Sequence, residues 1–110
     1  MDLEALAVYT TLPSEEAARG MARALVEEGL VACAHIFAIG SVYRWKGKLA
    51  DDREWALLLK TRAAIYERVA ERIRGTHPYE LPAIVAFPIT HGLPEYLAWI
   101  ADSTAAAEGS

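Results

Sequence analysis

The side chains best suited to chemistry are one thiol, Cys33, an imidazole two residues on, His35, and the cluster His77-Pro78-Tyr79-Glu80-Leu81-Pro82. The cluster sets an imidazole, a phenol and a carboxylate among two prolines, just ahead of the apolar run Ala83-Ile84-Val85-Ala86-Phe87. Each proline fixes its own φ and biases the preceding residue toward extended backbone, so these polar groups stand on stiff chain at the mouth of a strand. Scaffolded connections of this kind often carry function. The same residues also serve to pin a helix-to-strand turn through hydrogen bonds, and the residues alone leave both roles open. If Cys33 lies on a regular strand, His35 points to the same face, because residues two apart do so. Thiolate and imidazole are sensible copper donors: soft sulfur favours Cu(I), and imidazole accepts Cu(II). Cys33 between Ala32 and Ala34 also suits a small buried hydrophobe.

Elements at regular intervals must position these groups. Leu3 to Thr11 reads as a mostly buried strand, broken by Pro13. Ser14 is a natural N-cap, with Glu15 and Glu16 in the first turn and Ala17, Ala18, Met21, Ala22, Leu25 and Val26 at helical spacing up to a stop at Gly29. Leu30 to Trp45 favours a long strand with a bulge or bend at Gly40. Lys46-Gly47 is a tight-turn signal, and Lys48 to Lys60 returns as the second arm of an extended hairpin. Asp51-Asp52-Arg53-Glu54 reads as a solvated jog in that arm. Thr61 suits the cap of a second helix, with Ile65, Tyr66, Val69, Ala70 and Ile73 as its buried stripe and Arg62, Glu67, Arg68, Glu71 and Arg72 on its wet face. A strand over 83–89 and a short last helix through Tyr96, Leu97, Trp99 and Ile100 follow. Leu93 stands where a capping side chain would help that helix.

The order β-α-β-β-α-β plus a helix is the α+β ferredoxin-like plan, an antiparallel sheet with two helices on one face. It occupies one domain over 1–103, and the Ala-rich 104–110 reads as a disordered tail. The hairpin outreaches the other strands, so its far half has unpaired edges that call for a partner chain.

Composition narrows the function classes. The chain has 110 residues, 54% of them hydrophobic, and a formal net charge of -4. That is a globular composition. The acidic balance argues against nucleic acid or anionic membrane as a partner. No apolar stretch approaches the roughly 20 residues needed to cross a bilayer, and the acidic Met1-Asp2-Leu3-Glu4 is unlike a secretory signal. A single cysteine allows no intrachain disulfide and no CxxC site. The expected location is cytoplasmic. The acidic loop Thr11-Leu12-Pro13-Ser14-Glu15-Glu16 would repel phosphate, which counts against acylphosphatase chemistry on this plan. No Gly-rich phosphate loop indicates a nucleotide or other organic cofactor.

Taken together, Thr10-Thr11-Leu12-Pro13, Leu30-Val31-Ala32-Cys33, Ser41 through Gly47, Glu54 through Thr61, His77 through Pro82, and Tyr96-Leu97-Ala98-Trp99-Ile100 resemble the CutA family of divalent-cation tolerance proteins. The resemblance runs from about Val8 to Ile100. It implies a homotrimer with hairpins paired between subunits, similar in architecture to the PII signalling proteins, and no enzymatic activity. It also implies a metal site, copper or another divalent cation, at Cys33, His77 and a third position that is a cysteine in the family and Thr10 here. His35 stands where the family commonly has Asn and could make up the donor number. The alternative that the PII likeness implies is a small anionic metabolite in a cleft between subunits, with Lys60, Tyr79 and Glu80 as the polar groups.

Overall fold

Ser14 opens the first helix as its sequence predicts. Its backbone is extended (φ -146°, ψ 159°), and its side chain accepts a hydrogen bond from the Ala17 N–H at 3.1 Å. That satisfies one of the four donors a helix leaves unpaired at its start. At the other end Gly29 takes a left-handed φ of 71°, which lets Gly29 N–H reach the Val26 carbonyl and Leu30 N–H the Leu25 carbonyl. This paired closure ends the helix sharply and turns the chain toward the sheet.

The computed structural model describes residues 4–108. Its elements are β1 (Ala5–Leu12), α1 (Glu15–Glu27), β2 (Cys33–Trp45), β3 (Lys48–Arg62), a 3-10 turn (Ala63–Ile65), α2 (Tyr66–Thr76), β4 (Val85–Ile89), α3 (Pro94–Ser103) and α4 (Ala105–Glu108). The strands form one antiparallel sheet in the order β2-β3-β1-β4, the ferredoxin-like arrangement. Leu3, placed at the start of the first strand by its sequence, lies outside the described residues.

Strand alternation divides the sheet into two faces. Val8, Leu57 and Leu59 point to the helical face, where they bury against Met21, Ala22 and Leu25 of α1 and Val69 and Ile73 of α2. The opposite face carries Ala5, which joins Ala32 and Ile100 in a second, smaller apolar cluster with Ile89 and Leu97. The last helix α3 thus covers one end of the face that α1 and α2 leave open.

β1 pairs with β3 only as far as Leu12 opposite Trp55. Beyond that point the β2–β3 hairpin runs on alone and stretches the molecule to 45 × 27 × 22 Å. Its tip is Lys46-Gly47, both with positive φ (51° and 80°), the two-residue turn whose twist matches the strands. Val42 and Leu49 near this tip are 67% and 72% exposed.

Four local expectations give way to the tertiary structure. Gly40 makes no bulge: the ladder runs unbroken from Cys33 opposite Lys60 to Trp45 opposite Lys48, with Gly40 opposite Arg53. A bulge leaves one residue unpaired, and equal arms about a two-residue turn leave none. Asp51 through Glu54 likewise stay in β3, because their acidic groups find donors there: Tyr43 donates to Asp52 at 2.7 Å and Tyr79 to Glu54 at 2.7 Å. Thr61 and Arg62 belong to the end of β3, not to a helix cap and a wet face. Thr61 donates to the Leu30 carbonyl at 2.7 Å, and both residues are buried. The disordered tail expected from residue 104 is ordered over 104–108. Thr104 is fully buried against Arg62, Ala107 packs into the main core, and Arg68 donates to the Ala107 carbonyl. Basic side chains that satisfy the last carbonyls of a helix hold such an end in place. Gly109 and Ser110 lie outside the described residues. No described helix is long and apolar enough to cross a membrane.

Candidate functional site

The polar side chains that could hold a ligand collect at two places. The first is the end of the open face under α3. Cys33 opens β2 opposite Lys60, so both side chains emerge side by side on that face. α3 then lays Tyr96 across them. The Tyr96 hydroxyl lies 3.5 Å from Cys33 Sγ and 3.5 Å from Lys60 Nζ, which also sits 5.5 Å over the Tyr96 ring. Trp99, one helical turn on, stacks against Tyr96 at 5.5 Å. The pKa of the Tyr96 hydroxyl is raised, first by its hydrogen bond to Cys33, then by burial and by the charge of a Cys33 thiolate. His35 lies on the same face, opposite Leu58 and exposed, as strand alternation expects.

The second place is the notch where β1 stops and β3 continues. α2 ends at Thr76, and the proline-stiffened segment folds back over the notch. His77 Nε2 lies 2.8 Å from the Thr11 carbonyl, while its Nδ1 accepts from the Tyr79 N–H at 3.1 Å. A carbonyl can only accept and an N–H can only donate. The ring is therefore the neutral Nε2–H tautomer with both nitrogens engaged. Burial lowers the pKa of His77, against smaller opposing effects from the Thr11 bond and the Glu54 charge. Tyr79 donates to Glu54, a carboxylate only 6% exposed. Burial first, and then this bond, push the Tyr79 hydroxyl well above the usual phenol range.

Within one chain these places stay apart. Cys33 pairs with Lys60 and Lys60 with Ala7, and Thr11 lies four residues further along β1, about 13 Å at the rise of a strand. Thr10 is opposite Leu57 on the helical face, fully buried, whereas Cys33 points to the other side of the sheet. Lys60, Tyr79 and Glu80 also go separate ways: Lys60 joins Tyr96, Tyr79 joins Glu54, and exposed Glu80 pairs with Lys46 near the hairpin tip at 3.6 Å. Among the described residues no three of His, Cys, Asp and Glu come close enough to hold a metal ion. The donors of this chain alone therefore do not fit a complete metal centre. A groove of about 380 Å³ between α1 and α2, lined by residues such as Leu12, Met21 and Arg72, holds none of the candidate donors.

Sequence reasoning missed Glu54 and Tyr96 as partners of these groups. An acid alternating with apolar residues just before Trp55-Ala56-Leu57 was a signal for the first. Tyr96 gave none, because its contact with Cys33 spans most of the chain.

Comparison with known proteins agrees with this fold along nearly its full length. The profile of the CutA1 divalent ion tolerance protein family matches residues 6–103. A divalent-cation tolerance protein CutA of Thermus thermophilus is 47% identical over 88% of this chain and 95% of its own. A chloroplastic CutA protein of Arabidopsis thaliana is 41% identical over 90% of this chain, which spans 55% of that longer relative. Among solved structures, the Thermus thermophilus cation tolerance protein superposes with a TM-score of 0.87 at 46% identity, covering 91% of this chain and 98% of that one. CutA1 from Oryza sativa gives 0.90 at 36% identity, over 94% and 95%. By this match over most of its length, in sequence and in fold, the chain belongs to the CutA1 divalent ion tolerance family.

Proposed function

We propose that this chain acts as a homotrimer that binds a divalent cation, copper first, and catalyses no reaction. The observation that carries this reading is the overhanging hairpin. Among the described residues, 48–54 pair with no strand but β2, β2 forms the sheet edge, and Val42, Tyr43, Trp45 and Leu49 are exposed there. An apolar strand edge of that length is a template for another chain. Assembly would bring donors of one copy toward those of the next, which one chain cannot do for Cys33, His35 and His77. His77 would give up one of its two hydrogen bonds to bind a metal, so Cys33 and His35 are the readier pair.

The test is anaerobic copper titration against a competing chelator, with light scattering on the same sample. Binding tighter than about micromolar (roughly -8 kcal/mol) by a trimer, lost in Cys33→Ser and weakened in His35→Ala, supports the reading. A stable monomer, or binding unchanged in both variants, overturns it.

One observation favours a second reading, a small anionic metabolite bound between subunits. Lys60 lies half-buried beside Tyr96 with no carboxylate partner among the described residues. A thermal-shift screen of small carboxylates and phosphates, repeated with Lys60→Met, separates it from the first.

A further inference from the structure

We infer that the open face of the sheet beside α3 binds a planar aromatic monocarboxylate, its carboxylate on Lys60 and its ring over Ala7 against Phe87. The inference rests on the second reading above, an anion at Lys60, and it adds the chemical class of that anion.

The register sets the shape of the site. Phe87 pairs with Ala7 and Ala7 with Lys60, so these three side chains form one row across the open face. The outer two stand two strand spacings apart, roughly 10 Å. Between them Ala7 ends at its Cβ and is only partly covered, which leaves a trough with Lys60 on one bank and Phe87 on the other. Tyr9, two residues along β1, bounds the trough at one end. At the other end α3 closes over Ala5. The walls are aromatic: Phe87 is 55% exposed, and Tyr96 and Trp99 of α3, stacked at 5.5 Å, are 37% and 44% exposed. Rings of this kind favour a flat apolar body against them.

Charge names the other half of the ligand. A lysine ammonium carries three N–H groups. Among the described residues that of Lys60 has one acceptor, the Tyr96 hydroxyl at 3.5 Å. A partly desolvated cation without a counter-ion is unfavourable, and an arriving anion relieves that penalty. Arg62, the next side chain of β3 on this face, is buried and committed elsewhere: its Nε donates to Thr104 Oγ1 at 2.9 Å and its Nη2 to the Thr104 carbonyl at 3.1 Å. Lys60 therefore supplies the charge of the trough, which matches one carboxylate and leaves a phosphate dianion half-neutralised.

The experiment is calorimetric titration of the intact, metal-free protein with benzoate at fixed protomer concentration. Saturable binding with a Kd of about 1 mM or tighter is expected, within reach of a ligand of about nine heavy atoms. Benzamide keeps the ring and removes the charge, and it should bind at least about tenfold more weakly, the factor for losing a hydrogen bond to a charged group. Acetate keeps the charge and removes the ring, and it should also bind at least about tenfold more weakly. Lys60→Met keeps the apolar stem and should weaken benzoate by the same factor. The benzamide arm uses the wild-type chain, so it reads the charge match whether or not the variant folds. Equal binding of benzamide and benzoate, or of benzoate by Lys60→Met and wild type, overturns the site. Acetate or inorganic phosphate bound as tightly as benzoate, and lost in Lys60→Met, overturns the aromatic carboxylate and leaves the second reading standing. No binding of any of these anions overturns both.

Discussion

Replacing His77 by alanine should destabilise the fold as well as remove a candidate donor atom. The ring gives its Nε2–H to the Thr11 carbonyl at 2.8 Å and takes the Tyr79 N–H on Nδ1 at 3.1 Å, so it ties the end of β1 to the start of the proline-stiffened segment. A neutral hydrogen bond contributes about 0.5–1.5 kcal/mol net, so the two together contribute about 1–3 kcal/mol. Water can reach part of this notch, since His77 is half-buried, and that keeps the loss within the range. A pH signature accompanies it. Protonation would convert Nδ1 from acceptor to donor, facing the Tyr79 N–H. Burial already lowers the pKa of this imidazole below the usual 6.5. The unfolded chain therefore binds the proton more readily than the folded one. The contribution of His77 is complete above about pH 6.5 and is lost as pH falls through the lower folded value. Glu28, whose carboxyl is held below its ordinary value of 4.5 by the Arg72 hydrogen bond, titrates outside that window. Urea unfolding followed by tryptophan fluorescence, at fixed protomer concentration from about pH 8 to about pH 5, reads both effects. The wild type should lose stability toward the acid end, and His77→Ala should start lower and change less. An alanine variant within about 0.5 kcal/mol of wild type at neutral pH, or one with an undiminished pH slope, would refute the reasoning.

Thr10 Oγ1 is fully buried and has no hydrogen-bond partner among the described residues. Thr10→Val should therefore stabilise by about 1 kcal/mol and raise the melting temperature at equal protein concentration. A lower melting temperature would mean that the hydroxyl has a partner. Tyr79→Phe takes the 2.7 Å donor from buried Glu54 and should cost about 1.5–3 kcal/mol, the range for bonds to charged groups. An unchanged urea midpoint would show that Glu54 is satisfied otherwise. Gly47→Ala forces a side chain onto a φ of 80° and should cost about 1–2 kcal/mol. The same unfolding assay checks it, and a neutral result would mean that the hairpin tip relaxes into another turn.

Much of this protein is written locally in its sequence. Ser14, the apolar spacing from Ala17 to Leu25 and Gly29 set out a whole helix, because cap, stripe and stop act within a few residues of one another. Lys46-Gly47 marked the hairpin tip for the same reason, and the order of elements then selected the ferredoxin-like sheet. Cys33 and His35 share a face by strand alternation alone. Where the sequence misled, a distant partner overruled a local preference. Gly40 remains in the ladder because Arg53 lies opposite it, and the chain after Ser103 is ordered because Arg62 and Arg68 hold its carbonyls across some forty residues. Thr61 and Arg62 extend a strand because Ala5 and Leu6 of β1 pair beside them. The placement of His77, engaged at both nitrogens and far along the sheet from Cys33, could not be read from residue types, since register and crossover decide it. Local geometry depends on neighbours in the chain and is legible there. The site depends on which side chains the sheet brings together, and only the folded sheet sets that.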